Sequence, residues 1–297
     1  MKLLVIGHSV LDKIFIKDEI KIQPGGIYYS VKGFASAADP GDELYLLTSM
    51  DIENRIYFKD IFSKVNSDFI QETDSIPKVN LHLSGSAERC EGYENLTNKL
   101  EITNWNMLNN FDGIFINMIT GFDIDLSDLK NIRENFKGKI FLDVHTLSRG
   151  YDEKSGKREF RVIPGAEKWI NFVDIIQVNE NELFSLSDEK EPEKIIKKVL
   201  DLGAELLIVT KGKGGAEVFY RDESGLQQLK EKAIEVETKN SVGCGDIFGS
   251  AFFYIYIKTY NVEVALKFAN RAAGISASYE SIDEFKELRN DIFGKFD

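Results

Sequence analysis

Cysteine is scarce in this chain of 297 residues. Only Cys90 and Cys244 occur, too few for a disulfide framework, which points to a reducing compartment. Five prolines exclude collagen-like and proline-rich segments. The three histidines, His8, His82 and His145, lack the spacing of a zinc site. Basic residues number 37 against 49 acidic ones, and the net charge of −12 disfavours nucleic acid and anionic membrane as partners. Long apolar runs are also missing. The longest uncharged one, Ile247 to Ile257, has 11 residues, the length of a buried helix rather than a membrane span. The apolar run from Leu3 to Gly7 is too short for the core of a signal peptide. A cytoplasmic protein is therefore expected. No G-x-x-x-x-G-K-[ST] is present, since the Gly-Lys pairs at 138, 156, 212 and 294 are followed by Ile, Arg, Gly and Phe.

What is present is ordinary globular material, 43% hydrophobic and 29% charged. The pattern alternates strands and helices. Leu3–Ile6 reads as a buried strand closed by Gly7, and further strands are expected at Glu43–Thr48, Gly113–Asn117, Lys139–Asp143, Val173–Val178 and Leu206–Thr210. Helices are expected at Tyr28–Ala38, Leu126–Phe136, Pro192–Leu202, Ile247–Tyr260 and Val262–Ser278. Such alternation implies right-handed crossovers and a doubly wound, mostly parallel sheet with helices on both faces, an α/β fold. Two polar, strand-like stretches, at about 12–24 and 78–101, read as insertions forming a small β-sheet flap on a single domain spanning 1–297.

Four local patterns carry chemistry. Asn240-Ser241-Val242-Gly243-Cys244-Gly245-Asp246 leads into the apolar helix. Two glycines let backbone approach a ligand, and amides at a helix start form an anion hole suited to a phosphoryl group. Asp246, in the first turn, is placed to take a proton, or else simply caps the helix. Thr210-Lys211-Gly212-Lys213-Gly214-Gly215 follows an apolar strand, where open α/β sheets bind ligands; a solvated hairpin turn is the alternative. Asn179 and Glu182 would share one face of a helical turn and offer oxygens to Mg²⁺, or Asn179 caps that turn. Asp12 with Pro24-Gly25-Gly26 suits a polyhydroxylated ligand, or is a surface acid and a turn. Cys244 reads as a small side chain rather than a nucleophile.

In this order, Asp12, Gly25-Gly26, Asn179-x-x-Glu182, Thr210-x-Gly212-x-x-Gly215 and Gly243-Cys244-Gly245-Asp246 resemble the ribokinase, or PfkB, carbohydrate-kinase family, from Gly7 to about Ser278. The resemblance implies a doubly wound α/β domain with a small β-sheet lid. It implies ATP and Mg²⁺ as cofactors and phosphoryl transfer to an alcohol of a small sugar or nucleoside. Asp246 would be the general base, and the amides of Gly243, Cys244 and Gly245 the anion hole. Asn179 and Glu182 would organise Mg²⁺. Thr210, Gly212, Gly215 and Asn270 would contact the nucleotide, and Asp12, Gly25, Gly26 and Ser30 the acceptor. Pairing of lids in a homodimer is a further expectation. Three departures stand out: Asn240-Ser241 where members usually carry Asp-Thr, Ser30 where many carry Asn, and Asp143-Val144-His145 where Asp-Pro-Asn is common. Tyr28 and Tyr29 would then wall a flat acceptor. Other readings are a ligand-binding sensor without turnover and an NAD(P)-dependent oxidoreductase, which the missing early G-x-G-x-x-G opposes.

Overall fold

A computed structural model describes residues 1–16, 19–82, 90–151 and 158–294. The chain opens with β1 (Lys2–Ile6), β2 (Ser9–Ile16), β3 (Glu19–Gly26), α1 (Ile27–Ala37) and β4 (Glu43–Met50). Short elements come next: α2 (Lys59–Phe62), β5 (Ile70–Glu72), β6 (Lys78–His82) and β7 (Cys90–Glu94). The middle holds β8 (Gly113–Asn117), α3 (Leu126–Asn135), β9 (Lys139–Asp143), β10 (Arg149–Tyr151), β11 (Arg158–Phe160), α4 (Ala166–Asn171) and β12 (Ile175–Asn179). The last part is α5 (Pro192–Asp201), β13 (Leu206–Thr210), β14 (Ala216–Asp222), β15 (Gly225–Glu231), α6 (Cys244–Thr259), α7 (Val262–Ala277) and α8 (Leu288–Gly294).

Nine strands form one sheet in the order β15-β14-β13-β12-β9-β8-β1-β4-β5. From β13 to β5 every pairing is parallel; β14 and β15 add an antiparallel hairpin at one edge. The parallel strands are apolar on both faces because helices cover both. Strand alternation divides the side chains. Val5, Phe115, Phe141 and Ile208 join α1, α6 and α7 in one core, while Leu4, Ile116, Leu142 and Val209 join α3, α4 and α5 in the other.

The chain leaves β1 for β4 on one side and later returns to β8 on the other. This reversal opens a crevice at the carboxyl ends of β1 and β8, the place where such sheets bind ligands. A second sheet, β3-β2-β6-β7, stands apart and matches the expected flap. Its strands cover 9–16, 19–26, 78–82 and 90–94, so residues 95–101 lie outside them. It is mixed, since β2 and β6 run parallel.

Other boundaries moved. The strand placed at Val173 begins at Ile175, because the Val173 amide still closes the turn after α4 on the Ile170 carbonyl. The helix placed at Ile247 begins at Cys244, which puts Gly245 and Asp246 inside its first turn. No helix among the described residues is long and apolar enough to cross a membrane. The α6 helix is instead buried nearly all round, as its run of Phe, Tyr and Ile requires.

Phe253 of α6 sets the height of that helix over the sheet. It is fully buried and lies with ring centroids 6.0 Å from Phe115 and 5.5 Å from Phe141. Phe253→Ala should cost about 3–5 kcal/mol of stability, from lost transfer energy and the cavity left behind. Urea unfolding checks this; a loss under about 1 kcal/mol would show that α6 is not anchored there.

Candidate active site

The Gly-rich bend before α6 is shaped by local bonds. Asn240 Oδ1 accepts the Val242 amide at 2.9 Å, an Asx-type turn, and the amides of Lys239 and Asn240 bond to the carbonyl of Ala277. Gly243 then takes φ of +77°, and a Cβ there would fall 2.2 Å from Cγ of Tyr29. Only glycine fits, because the backbone lies flat on the tyrosine ring. A Cβ at Gly245, by contrast, would meet nothing within 4 Å. The amides of Gly243 and Gly245 have no acceptor among the described residues. The Cys244 amide reaches the Ser241 carbonyl only at 3.5 Å. Gly245 is exposed at the positive end of a 16-residue helix, with open space where a side chain would sit, while Gly243 is buried against Tyr29. The Cys244 thiol is turned inward, 3.5 Å from Ser276 Oγ and 3.8 Å from the Asn240 carbonyl, which fits a packed side chain.

Asp246 is 7% exposed and reaches the crevice between β1, β8 and β9. Asn117, the last residue of β8, donates its side-chain N–H to Asp246 Oδ1 at 2.6 Å and to Ser30 Oγ at 3.0 Å. Gln177 on β12 donates to Asp143 Oδ2 at 2.8 Å and to the carbonyl of Gly245 at 3.0 Å. Thus amide side chains at strand ends tie both acids and the helix start to the sheet. Asp143 is held well above the usual carboxylate range, first by burial and then by the charges of Asp246 and Glu182. Tyr29 is raised for the same kinds of reason, burial first and then Asp12 and Asp246.

The acceptor-side residues divide into two groups. Asp12 is buried, and a Cβ on Gly25 would fall 2.3 Å from both of its carboxylate oxygens, so the acid lies across the Gly25 backbone. Gly26, with φ of +60°, turns the chain into α1. Ser30 is fully buried and engaged with Asn117, so it belongs with Asp246 rather than with Asp12. The expected aromatic wall does not exist. Tyr28 and Tyr29 are buried, with Tyr28 donating to Asp60 at 3.0 Å and Tyr29 accepting from Gln23 at 2.7 Å. They face inward because α1 packs that side against α6 and α8.

On the other flank, Asn179 and Glu182 do not sit on one helical face. Asn179 ends β12, and its Oδ1 accepts the amides of Asn181 and Glu182, both at 2.9 Å, while Glu182 Oε2 accepts the Asn179 amide at 2.8 Å. The capping alternative is therefore present. Thr210 ends β13 beside Asn179 in register, and Gly212–Gly214 turn the chain into β14, closed by the Lys211 amide on the Gly215 carbonyl at 2.8 Å. The hairpin alternative is likewise the observed shape. Asn270 is buried on α7, and its N–H bonds the carbonyl of Lys232.

Among the described residues no group of three His, Cys, Asp or Glu is arranged to hold a metal directly. Asp246 and Glu182 both oppose the charging of Asp143. Glu182 and Asn179 carry oxygen donors of the kind Mg²⁺ engages through its waters. A groove of about 420 Å³ lies elsewhere, between Leu47, Phe69, Glu101 and Met107, and includes none of these residues.

Sequence reading missed Asn117 and Gln177. Gln177 carried a signal, a polar residue inside the apolar run Ile175-Ile176-Gln177-Val178 of a central strand. Asn117 carried a weaker one, as the polar last residue of an apolar strand.

Known proteins share this frame. Residues 145–287 match the model of the pfkB family carbohydrate kinase. An ATP-dependent 6-phosphofructokinase of Thermoanaerobacterium thermosaccharolyticum is 33% identical over 123 residues, 39% of this chain and 37% of that protein. The ribokinase of Bacillus subtilis is 30% identical over 129 residues, 43% of this chain and 41% of that protein. These matches span about two fifths of the length of either relative. A pyrophosphate-dependent kinase in the ribokinase family, solved with a pyrophosphate analog and myo-inositol, superposes with a TM-score of 0.77. It is 14% identical, over 97% of this chain and 99% of that one, and so speaks to the fold.

The raised Asp143 gives a stability test. The native state retains its proton at pH values where the unfolded chain has released it, so stability falls as pH rises from about 4 toward the folded-state value. Asp143→Asn should therefore raise the melting temperature at pH 7, and the gain should vanish below about pH 4. A gain equal at both pH values, or a loss at pH 7, would contradict the charge repulsion.

Proposed function

With residues 145–287 belonging to the pfkB carbohydrate-kinase family, we propose that this chain transfers the γ-phosphoryl group of ATP to a hydroxyl of a small sugar or nucleoside. The observation that carries the reading is the junction at α6. A buried carboxylate in the first turn, Asp246, adjoins the exposed backbone of Gly245 at the carboxyl edge of the sheet.

In this reading Asp246 accepts the proton of the acceptor hydroxyl while its oxygen bonds the γ-phosphorus. The bond from that phosphorus to the β,γ-bridging oxygen breaks, and ADP leaves with the electron pair. The amides of Gly243, Cys244 and Gly245, with the dipole of α6, hold the phosphoryl oxygens as charge spreads over them. Bound Mg²⁺ would supply charge neutralisation at the phosphates, with Asn179 and Glu182 holding its waters. Thr210, Gly212 and Gly215 border the nucleotide phosphates and Asn270 the base. Asp12, Gly25 and Gly26 hold acceptor hydroxyls, and the sheet β3-β2-β6-β7 acts as a lid that excludes water. Ile20 and Ile22, exposed on the edge strand β3, support pairing of two lids in a homodimer.

The test is product release with Mg-ATP across ribose, fructose 6-phosphate, myo-inositol and nucleosides, with pyrophosphate as an alternative donor. ADP release that depends on an acceptor is expected. Turnover with pyrophosphate alone would overturn the nucleotide part, and no turnover with either donor, despite binding, would favour a sensor. Asp246→Asn should lower kcat by about 10²–10⁴. An unchanged kcat would remove Asp246 from the reaction.

A further inference from the structure

Asn117 is held more tightly than a strand-end amide requires. It is fully buried, and its N–H group is shared between Asp246 Oδ1 at 2.6 Å and Ser30 Oγ at 3.0 Å. Asp246 Oδ1 only accepts, so turning the amide over would lose that bond, whereas the Ser30 hydroxyl could then donate to the amide oxygen. The Asn117 Oδ1 is buried with no partner among the described residues. Three separate elements meet at this one side chain: α1 through Ser30, β8 through Asn117 itself, and α6 through Asp246. They meet at the crevice where the strand order reverses.

We propose that Asn117 is the positioning residue of the reaction: it engages Oδ1 of Asp246 and so directs Oδ2 to the hydroxyl proton. This rests on the reading of Asp246 as the base. A carboxylate on a helix start has a broad terminal torsion and rotates unless something holds it. The short charge-assisted bond from Asn117 fixes that torsion and favours the ionised form, the form a base must have. Ser30 in turn fixes Asn117. The position of Ser30 one turn into α1 thus has a use in holding Asn117. Asp143 from β9 and Tyr29 from α1 are ionisable groups that feel Asp246, and Glu182 acts on Asp143. Among these neighbours Asn117 is the amide donor bonded to the Asp246 carboxylate.

The experiment is a double-mutant cycle read with the best acceptor from the screen, together with a titration that needs no acceptor. Asn117→Ala should lower kcat about 10- to 100-fold with KM for Mg-ATP changed less than about threefold, as misplacement of a reacting group does. The acid limb of the kcat/KM profile should move to higher pH. Ser30→Ala should lower kcat by a smaller factor in the same direction. In the Asp246→Asn background, adding Asn117→Ala should change kcat less than about twofold, because a residue acting through Asp246 has nothing left to position. Carbon NMR of aspartate-labelled protein, with the Asp246 signal identified by its loss in Asp246→Asn, should show that carboxyl titrating at higher pH in Asn117→Ala than in the wild type.

Losses that multiply in the double variant, or an Asp246 carboxyl that titrates identically in both proteins, would overturn the proposal. Full activity in Asp246→Asn alone would instead sink the reading of the base, and the NMR comparison would still decide whether Asn117 bonds the carboxylate. If Asn117→Ala fails to fold, Ser30→Ala carries the same pH and cycle readouts.

Discussion

Two acids buried at the carboxyl edge of one sheet are the constraint around which the crevice is built. Asp246 and Asp143 lie where water is largely excluded, and each raises the cost of charging the other. The sheet answers with amide side chains rather than with cations. Asn117 bonds the first acid and Gln177 the second, and Gln177 also grips the carbonyl of Gly245. A lysine or arginine would have cancelled the charge. An amide orients it and leaves negative charge in place, which suits a site meant to draw a proton or a hydrated cation.

The helix layer makes that edge possible. The α6 helix has almost no polar face, so it must be covered all round, by the sheet beneath and by α1 and α7 beside it. That burial is what brings the N-terminus of α6 onto the strand ends. It also explains the glycine at 243: backbone pressed on the ring of Tyr29 cannot carry a side chain, and the left-handed turn there points the next amides outward. One packing requirement thus sets both the strength of the helix anchor and the direction of the anion hole.

Much of this was legible in the sequence, for a physical reason. Fully buried parallel strands are continuous apolar runs, and β8, β9 and β13 fall at the residues their runs mark. Helices with one apolar stripe, such as α3 and α5, were equally plain. The hairpin partners β14 and β15 were not, because an edge strand is half solvated and β15 alternates polar residues along its length. The glycine pattern before α6 announced a backbone ligand site, since glycine is needed wherever backbone must come close. Contacts between side chains distant in the chain were invisible. Asn117 and Asp246 are 129 residues apart, and no spacing rule connects them.

Tyr28 and Tyr29 mark the sharpest difference between pattern and packing, and the difference bears on the acceptor. Aromatic residues after a glycine pair fit either a ligand wall or a helix core, and helical phase decides. In α1 the faces carrying Tyr28, Tyr29 and Ser30 all turn into protein, against Asp60, Gln23 and Asn117 respectively. The side proposed for an acceptor then offers Asp12 lying across the Gly25 backbone, with no ring from α1 for a flat molecule to stack on. Within the proposed reaction, that composition weighs toward an acceptor recognised by its hydroxyls, a sugar or polyol, over one recognised by a planar base. In the proposed reaction it also moves the burden of selectivity from α1 to the strands of the small sheet, the proposed lid.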